Sequence, residues 1–546
     1  MWLPMLQMKK VNLPLIAIFF VALIVRALCA AVFYGEIDSE GSEYARIAQN
    51  IAMGNGYSGI ATEGTQLIFP PLFPFLIASI SFLSSAEIAG RILSVASGAL
   101  LIFPVYLIGC RLFGRKVGLG GAALVALHPY LIFISTGVNC EPFYFAILFT
   151  AIYLSMRVSD NPNFAAIAAC GVVYGIASLV RQEALVFMVV AMTYIVAVIW
   201  WRGHEKLAKI AGRIWLMPVC FLFFAAPYIA WISVQTGQFR LEAKSPLNIE
   251  TELRMQSGLS MDEAAFAVSK DALPAGVWNQ PNIDILKSSK PSGHQLFTMV
   301  LKKSVKVFKK TVATLAGNPA FGSPALLALA IFALISLRWS QPVLFDLVYL
   351  TLLMSLTVLA TFFIYYSHNR FYFFPLVVLC IWASAGIAAL RERAAQWATK
   401  FGIAAGRGAF IGNVALVLAI AAIIVPSAAS AGSAFLATRD TRPIRAFATR
   451  LAASGEALRV ADSTSPFAFH AGAQLIWMPY SDEQTALNFL QKKGVTHVVV
   501  DDEEMLGRPY LKKWMEEGVP NSQEVVPPIS GTRRKIRVFR FGPQSS

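Results

Sequence analysis

Eleven long apolar runs divide this sequence of 546 residues, and they constrain its fold more than any other feature. A run of roughly 20 apolar residues can cross the hydrocarbon core of a bilayer as one helix. Charged residues make up only 14% of the chain, which is too few to cover the surface of a soluble protein. The sequence therefore predicts a polytopic α-helical membrane protein with about eleven transmembrane helices. The runs lie at approximately 13–34, 88–112, 118–137, 142–157, 164–181, 184–201, 210–234, 322–337, 342–366, 371–390 and 409–431.

Lysine and arginine residues in the short loops predict the orientation of these helices. Lys9 and Lys10 precede the first run, Arg115 and Lys116 follow the second, and further basic residues, Lys206 among them, follow the sixth and the tenth. With eleven helices these loops share one face, and such loops are typically cytoplasmic. We therefore expect an inner (plasma) membrane protein with a cytoplasmic N-terminus. Membrane orientation explains much of the net charge of +15, so no nucleic-acid partner is predicted.

Three polar regions are then predicted to lie outside the cytoplasm: a first loop, 35–87, a long loop, 235–321, and a C-terminal region. We divide the chain into a transmembrane domain, 1–431, and a small extracytoplasmic α/β domain, 432–546, in which strand-like and helix-like patterns alternate. The long loop carries a basic amphipathic segment, 301–314, typical of a helix at the membrane surface. Its lysines would bind lipid headgroups in general or help to hold an anionic lipid donor.

The first loop begins with an unusual concentration of carboxylates, which are Glu36, Asp38, Glu40 and Glu43. Like charges this close repel one another and raise each other's pKa. Ser42 could cap a helix, and acidic residues are favourable near a helix N-terminus, which would explain Glu43 and in part Glu40. It would not explain the whole cluster. The cluster therefore indicates a catalytic carboxylate in this loop.

A set of short motifs in and after this cluster resembles one family of membrane enzymes. Glu40-Gly-Ser-Glu-Tyr44 is followed by Gly54-x-Gly56-Tyr57 and by Pro70-Pro71-Leu-Phe-Pro74. Together they resemble the GT-C glycosyltransferases, above all the protein O-mannosyltransferase-like family (glycosyltransferase family 39), which is related to lipid A aminoarabinose transferases. The resemblance covers roughly residues 13–390. It implies an active site in the first extracytoplasmic loop, an acidic residue that acts on the acceptor, and a polyprenyl-phosphate-linked sugar as donor.

The resemblance also assigns roles within the motifs. An Asp commonly stands four residues before the motif tyrosine in that family, whereas here Glu40 holds that place and Asp38 stands six residues before Tyr44. Either carboxylate could accept a proton from the acceptor. Position favours Glu40 as the catalytic base and leaves Asp38 as the alternative. Glu43, Tyr44 and Tyr57 are expected to contact substrate.

Six further polar residues are predicted at the same level of the membrane and are expected to bind substrate. Glu141 has an equally good explanation as an acid at a helix N-terminus, and Arg181 with Glu183 as a simple ion pair. Arg370 opens a basic-aromatic-proline segment similar to one in the family, and its planar guanidinium suits a donor phosphate. The six candidates are Glu141, Arg181, Glu183, His368, Asn369 and Arg370.

The predicted function is thus that of an inverting glycosyltransferase, a hexosyl or pentosyl transferase, with a lipid, glycan or protein acceptor. A polytopic secondary transporter and a non-catalytic envelope-assembly protein are the alternatives. The sequence requires no cofactor, although clustered acids leave open a role for Mg²⁺ or Mn²⁺. Arg26, inside the first run, is expected to reach the outer interface or to pair with a carboxylate of the first loop.

Overall fold

The computed structural model describes residues 12–61, 64–203, 207–289, 291–322, 324–336, 340–366, 368–502, 507–525 and 534–542. Lys9, Lys10 and Lys206, whose charges contribute to the predicted orientation, lie outside the described residues.

All eleven apolar runs form helices. Lipid offers no water to the backbone amides and carbonyls, so these groups bond to one another within each helix. The membrane part contains α1 (Leu13–Val32), α4 (Ala86–Leu100), α5 (Ile102–Phe113), α6 (Arg115–Leu127), α7 (Pro129–Thr136), α8 (Cys140–Asp160), α9 (Phe164–Ser178), α10 (Ala184–Trp201), α11 (Leu207–Ile214), α12 (Leu216–Thr236), α17 (Ala325–Ser336), α18 (Gln341–Ala360), α19 (Phe373–Lys400), α20 (Ala405–Asp440) and α21 (Arg442–Ala452). The first loop contains α2 (Ser39–Ala52) and α3 (Leu72–Ile80), and the long loop contains α13 (Lys244–Gln256), α14 (Met261–Phe266), α15 (Asn282–Ser288) and α16 (Gly293–Gly317).

The prediction of a polytopic helical membrane protein is confirmed, although the count of clear spans is lower than eleven. Eight described stretches are long and apolar enough to cross a membrane, and a ninth crossing results if α6 and α7, which meet at 53°, form one broken span. The two remaining runs form α9 and α17, of 15 and 12 residues. As described they are shorter than the roughly 20 residues of a typical membrane crossing, and residues 323 and 337–339 on either side of α17 lie outside the described residues. The two helices pack along α12 and α19 respectively.

Arg26 lies in the middle of this helical part, and both expectations for it are wrong. Its side chain is only 1% exposed, so it does not reach the interface. The guanidinium donates to the carbonyl oxygens of Ala126 at 2.7 Å and Val125 at 3.0 Å. These carbonyls belong to the last turn of α6, where the break before Pro129 leaves them without helical donors. Arg26 therefore caps a broken helix and does not pair with a carboxylate.

The first loop is built from short elements that return to the membrane surface. Asp38 caps α2 by accepting a hydrogen bond from the backbone amide of Gly41. The apolar stretch 67–83 does not span, because α3 covers only nine residues before a 3-10 turn at Ser81–Leu83. Pro71 stands at its N-terminal boundary, where the ring does not interrupt helical hydrogen bonds.

The long loop ends in α16, a 25-residue helix whose two faces differ. One face is buried and includes Lys303, whose Nζ donates to Glu252 at 2.8 Å. The other exposes a stripe of apolar side chains next to Lys302, Lys306, Lys309 and Lys310. This pattern fits a helix that lies at the membrane surface, as the sequence predicts. The exposed apolar residues of the stripe are Phe297, Leu301, Val305, Phe308 and Val312.

The C-terminal region forms the predicted small α/β unit. A five-stranded sheet has the order β2-β1-β3-β5-β4, with the first three strands parallel and the last two antiparallel to their neighbours. Its buried strands carry the β-branched residues that predicted them. The elements are β1 (Arg459–Asp462), α22 (Pro466–His470), β2 (Gln474–Trp477), α23 (Glu483–Lys492), β3 (His497–Asp501), α24 (Pro509–Glu517), β4 (Ser522–Glu524) and β5 (Ile536–Phe541).

This C-terminal unit packs directly on the first loop. The backbone amide of Leu475, on edge strand β2, donates to the carbonyl of Ile60 at 3.0 Å. The hydroxyls of Ser42 and Ser465 lie 2.6 Å apart, and Arg534 lies 3.6 Å from the Glu36 carboxylate. The acidic segment of the loop is therefore held between the membrane helices and the sheet.

Candidate functional site

The Glu40 carboxylate lies at the centre of a buried charge cluster. It belongs to the first turn of α2, and its Oε1 accepts a hydrogen bond from the Lys244 ammonium at 2.6 Å. Its Oε2 accepts another from the Arg370 guanidinium. Burial by itself would raise the pKa of Glu40, but the two cations outweigh it and hold that pKa well below its usual value. Glu40 is therefore an ionised carboxylate between two positive groups.

Acids and bases alternate from Glu40 into the membrane part. Arg370 lies 3.8 Å from the Glu141 carboxylate, which also accepts a hydrogen bond from Arg181 at 3.1 Å. Arg181 pairs in turn with Glu183 at 2.8 Å. Because each buried charge has a partner of opposite sign, the cluster avoids the large penalty of an uncompensated charge. The structure thus brings together four of the six residues predicted outside the first loop.

Asp38 occupies a different environment from Glu40. Its side chain is exposed, yet the surrounding protein removes enough hydration to raise its pKa to about 6. The hydrogen bond from the Gly41 amide and the charge of Arg370 oppose that rise. Asp38 is thus the more basic of the two carboxylates, but it contributes to neither of the two cavities that meet at Glu40.

Two cavities share a wall at this charge cluster. Cavity I, of about 340 Å³, has a largely apolar wall that includes Leu185, Phe221 and Ile229 of α10 and α12. Cavity II, of about 570 Å³, extends to the C-terminal unit. Seven residues line both cavities, and they include Glu40 and its two cationic partners, Lys244 and Arg370. The shared residues are Glu40, Ile68, Phe69, Lys244, Asn248, Tyr366 and Arg370.

Glu43 and Tyr44, two other predicted residues of the first loop, line the cavities and bond to neighbouring segments. Both oxygens of Glu43 accept backbone hydrogen bonds, from Ile60 at 3.0 Å and Ala61 at 3.2 Å. Glu43 also lines cavity II, and Tyr44 lines cavity I while donating to the thiol of Cys140 at 3.2 Å. Glu43 thereby connects the backbone at Ile60 and Ala61 to α2.

Five predicted residues lie outside both cavities, namely Asp38 and Glu141, described above, and Tyr57, His368 and Asn369. The Tyr57 hydroxyl donates to the carbonyl of Phe69 at 2.8 Å, and the His368 ring accepts a hydrogen bond from the Arg370 amide at 3.2 Å. Asn369 accepts one from Asn318 at 3.0 Å. Tyr57 and His368 each contact the backbone of a residue that lines both cavities, so their contacts position the walls of the site.

Lys244 is the functional candidate that the sequence did not indicate. It is the first residue of α13, in the long loop, and the chain separates it from Glu40 by 204 residues. The lysines at 302–310, which the sequence suggested for the donor, line neither cavity. No motif surrounds Lys244, so only the folded arrangement of the two loops reveals it.

The described part of the chain contains no group of three or more His, Cys, Asp or Glu arranged to hold a metal ion. The Glu40 carboxylate already has two cationic partners.

The helical membrane part followed by the C-terminal sheet has a fold of the GT-C type, as the sequence resemblance predicts. Residues 69–231 match the model of the PMT_2 family, dolichyl-phosphate-mannose-protein mannosyltransferase. No curated protein matches the chain.

Solved structures share this fold at low sequence identity. ArnT from Cupriavidus metallidurans bound to undecaprenyl phosphate has a TM-score of 0.54 and 12% identity, over 97% of this chain and 99% of that chain. The Archaeoglobus fulgidus oligosaccharyltransferase tethered with an acceptor peptide has a TM-score of 0.54 and 14% identity, over 96% and 74%. The same archaeal enzyme, AglB, with an inhibitory peptide and a dolichol-phosphate has a TM-score of 0.52 and 13% identity, over 96% and 74%. At such identities the likeness shows the fold alone.

Proposed function

We propose that this protein is an inverting glycosyltransferase that moves a sugar from a polyprenyl-phosphate donor to an acceptor hydroxyl at the extracytoplasmic membrane face. The observation that carries the proposal is the Glu40 carboxylate, held by Lys244 and Arg370 where the two cavities meet. Similar folds with bound undecaprenyl phosphate in ArnT and dolichol-phosphate in AglB support the class of donor.

Cavity I has the chemistry to hold such a donor. Its apolar wall on α10 and α12 suits an isoprenoid chain, and Lys244 and Arg370 at its inner end suit the phosphate. The Arg370 Nε is buried and has no hydrogen-bond acceptor among the residues described. A phosphate oxygen would supply that acceptor, and the guanidinium fork can bind two oxygens at once.

The proposed step is a direct displacement at the anomeric carbon. Glu40 accepts the proton of the acceptor hydroxyl while the oxygen of that hydroxyl forms a bond to the anomeric carbon. The bond from the anomeric carbon to the phosphate oxygen breaks, and its electron pair leaves with the polyprenyl phosphate. Lys244 and Arg370 stabilise the negative charge that develops on this leaving group. One displacement inverts the anomeric configuration.

Binding of the donor would also prepare Glu40 for its role. In the free protein two cations keep it ionised but weakly basic. A phosphate that binds Lys244 and Arg370 would compete for both partners and bring a negative charge close to Glu40. Both effects raise the pKa of a carboxylate. Glu40 would therefore become an effective base only when the donor is present.

Purified protein in lipid vesicles tests this function. With a radiolabelled sugar on a polyprenyl phosphate, we expect labelled product of inverted configuration from the wild type and none from the Glu40→Ala/Asp38→Ala double variant. Uptake of a solute without any sugar transfer would favour the transporter. We place the protein in the inner (plasma) membrane, with residues 36–43 and the C-terminal unit extracytoplasmic. Labelling of cysteines introduced at 36–43 from the cytosolic side would contradict this orientation.

The pH dependence of transfer distinguishes the two candidate bases. A carboxylate base works when ionised, so activity is lost as the pH falls through its pKa. The pKa of Asp38 is about 6, so its ionised fraction would fall roughly tenfold between about pH 7 and about pH 5. Glu40 stays ionised in the free protein over the same range. We expect kcat/KM to change little over this range, because kcat/KM reports the free enzyme.

The acid limb of kcat should lie at higher pH than that of kcat/KM, because the bound donor raises the pKa of Glu40. Steady-state rates at saturating and at low donor concentration measure the two profiles. A limb in kcat/KM with an apparent pKa of about 6 would assign the base to Asp38 instead.

A further inference from the structure

Beyond the wall that it shares with cavity I, cavity II has a lining that the proposed donor chemistry does not use. Trp278 of the long loop and Tyr365, between α18 and α19, line it together with Trp477 of the C-terminal unit. Several side-chain amides also line it. These amides include Asn248, Asn279, Gln280 and Asn282. At about 570 Å³ the cavity falls in the range of roughly 300–1,000 Å³ typical of small-molecule sites.

The two tryptophan rings are each held by contacts with neighbouring side chains. The Trp278 indole N–H donates to the Thr251 hydroxyl at 3.1 Å, and its ring lies 6.0 Å from that of Tyr365. The Trp477 ring lies 5.3 Å from that of Phe266. Both tryptophans are only partly buried, so each still presents apolar ring surface. Rings held this way offer preformed platforms for a ligand at a low entropy cost.

Two of the amides have unused hydrogen-bonding capacity. Asn248 is 6% exposed, and its Oδ1 has no hydrogen-bond partner in the described part of the chain. The Nδ2 of Asn279 donates to the carbonyls of Phe266 and Ala267, but its Oδ1 is equally without a partner there. Buried polar groups are normally bonded and an amide oxygen only accepts, so these two oxygens fit a ligand that donates hydrogen bonds, as a hydroxyl does.

The charges of cavity II are largely occupied. Glu40, Lys244 and Arg370 pair with one another at the wall shared with cavity I. The Glu43 carboxylate is bonded to the backbone of the first loop. Lys493 is the other charged lining residue. Recognition of an anionic ligand usually employs arginine forks, and the one fork here, Arg370, is assigned to the donor phosphate, so the rest of the surface offers mainly amides and aromatic rings.

We propose that cavity II is the acceptor site and that the acceptor is a neutral saccharide, whose rings pack on Trp278 and Trp477 while its hydroxyls bond to the amides. Sugar rings have apolar C–H faces and hydroxyls that donate and accept, so they match both parts of this lining. One end of the cavity is Glu40, where an acceptor hydroxyl must lose its proton. The inference rests on the proposed function, and it names the acceptor of that same site.

Binding of fluorescently labelled neutral gluco-, galacto- and manno-trisaccharides to the full protein in nanodiscs tests the proposal. We expect at least one trisaccharide to bind the wild type, and Trp477→Ala to weaken that binding about tenfold. Trp477→Phe should restore part of it. Trp397→Ala is the matched control, because Trp397 is exposed on α19 and lines neither cavity. If Trp477→Ala does not fold, Gln280→Ala replaces it, with an expected loss of a few fold.

Undecaprenyl phosphate binding, measured on the same samples, separates the two proposals. Trp477 lines cavity II only, so its loss should leave that binding unchanged. If undecaprenyl phosphate binds but no neutral trisaccharide does, or if Trp477→Ala binds trisaccharides as the wild type does, the acceptor proposal is overturned and the donor site remains. Preference for a serine peptide or an anionic glycolipid overturns it as well. Failure to bind undecaprenyl phosphate or to transfer sugar counts against the proposed function itself.

Discussion

Glu40→Gln should reduce sugar transfer by about a hundredfold or more while donor binding stays the same or becomes tighter. The size of the loss is that of a missing general base, roughly 10²–10⁴-fold. Donor binding should not suffer, because the neutral amide leaves Lys244 and Arg370 without their carboxylate partner and free for phosphate. Single-turnover transfer rates and undecaprenyl phosphate affinity, measured on the same preparation, give the two quantities.

This opposite movement of rate and affinity separates a base from a structural ion pair. Loss of a purely structural partner would lower both quantities together with thermal stability. Glu392→Gln is the control, since Glu392 is an exposed carboxylate on α19 that lines neither cavity. A Glu40→Gln protein with normal turnover would remove Glu40 from the mechanism and, with Asp38→Asn equally active, would remove the carboxylate cluster altogether.

Arg370→Ala should weaken donor binding by about tenfold to a hundredfold. A hydrogen bond to a charged group contributes roughly 1.5–3 kcal/mol, and each 1.4 kcal/mol changes an affinity tenfold. The variant also leaves Glu40 and Glu141 facing each other with one cation fewer, so we expect a lower melting temperature. Arg370→Lys keeps the charge but not the planar fork, and its affinity for the donor should fall between those of the wild type and Arg370→Ala.

Undecaprenyl phosphate titrations at two salt concentrations measure the effect, because a lost cation should also reduce the salt dependence of binding. Arg391→Ala removes an exposed arginine of α19, the helix that follows Arg370, and serves as the control. Unchanged donor affinity in Arg370→Ala would show that the phosphate lies elsewhere. The combination with Glu40→Gln is informative, because the two single variants are expected to move donor affinity in opposite directions.

The membrane fold could be predicted because one simple physical requirement governs it. A lipid-facing helix needs a long apolar run, and each of the eleven runs is helical. The length of the apolar runs did not predict the length of every helix, since α9 and α17 are described as short helices packed on longer neighbours. The prediction for Arg26 is wrong for a related reason. Its partners are carbonyls freed by the break between α6 and α7, and a break of that kind is not visible as a gap in hydrophobicity.

The candidate site could be predicted only where its residues form local motifs. Glu40 and Arg370 stand in motifs that resemble a known family, and they contact each other in the structure. Lys244, Trp278 and Trp477 come from segments without any such pattern and meet only through tertiary packing. The functions assigned to Glu40, Asp38 and their neighbours stay predictions until the variants are measured.

The hydrogen bond between Leu475 and Ile60 has a consequence for how the protein is made. The first loop comes before nearly all of the membrane helices in the chain, yet its neighbours Ser465 and Leu475 come after them. Cavity II, which includes Trp477, is therefore incomplete in any chain that stops before residue 477. If cavity II is the acceptor site, a fragment of this kind would lack part of that site even after its membrane helices have inserted.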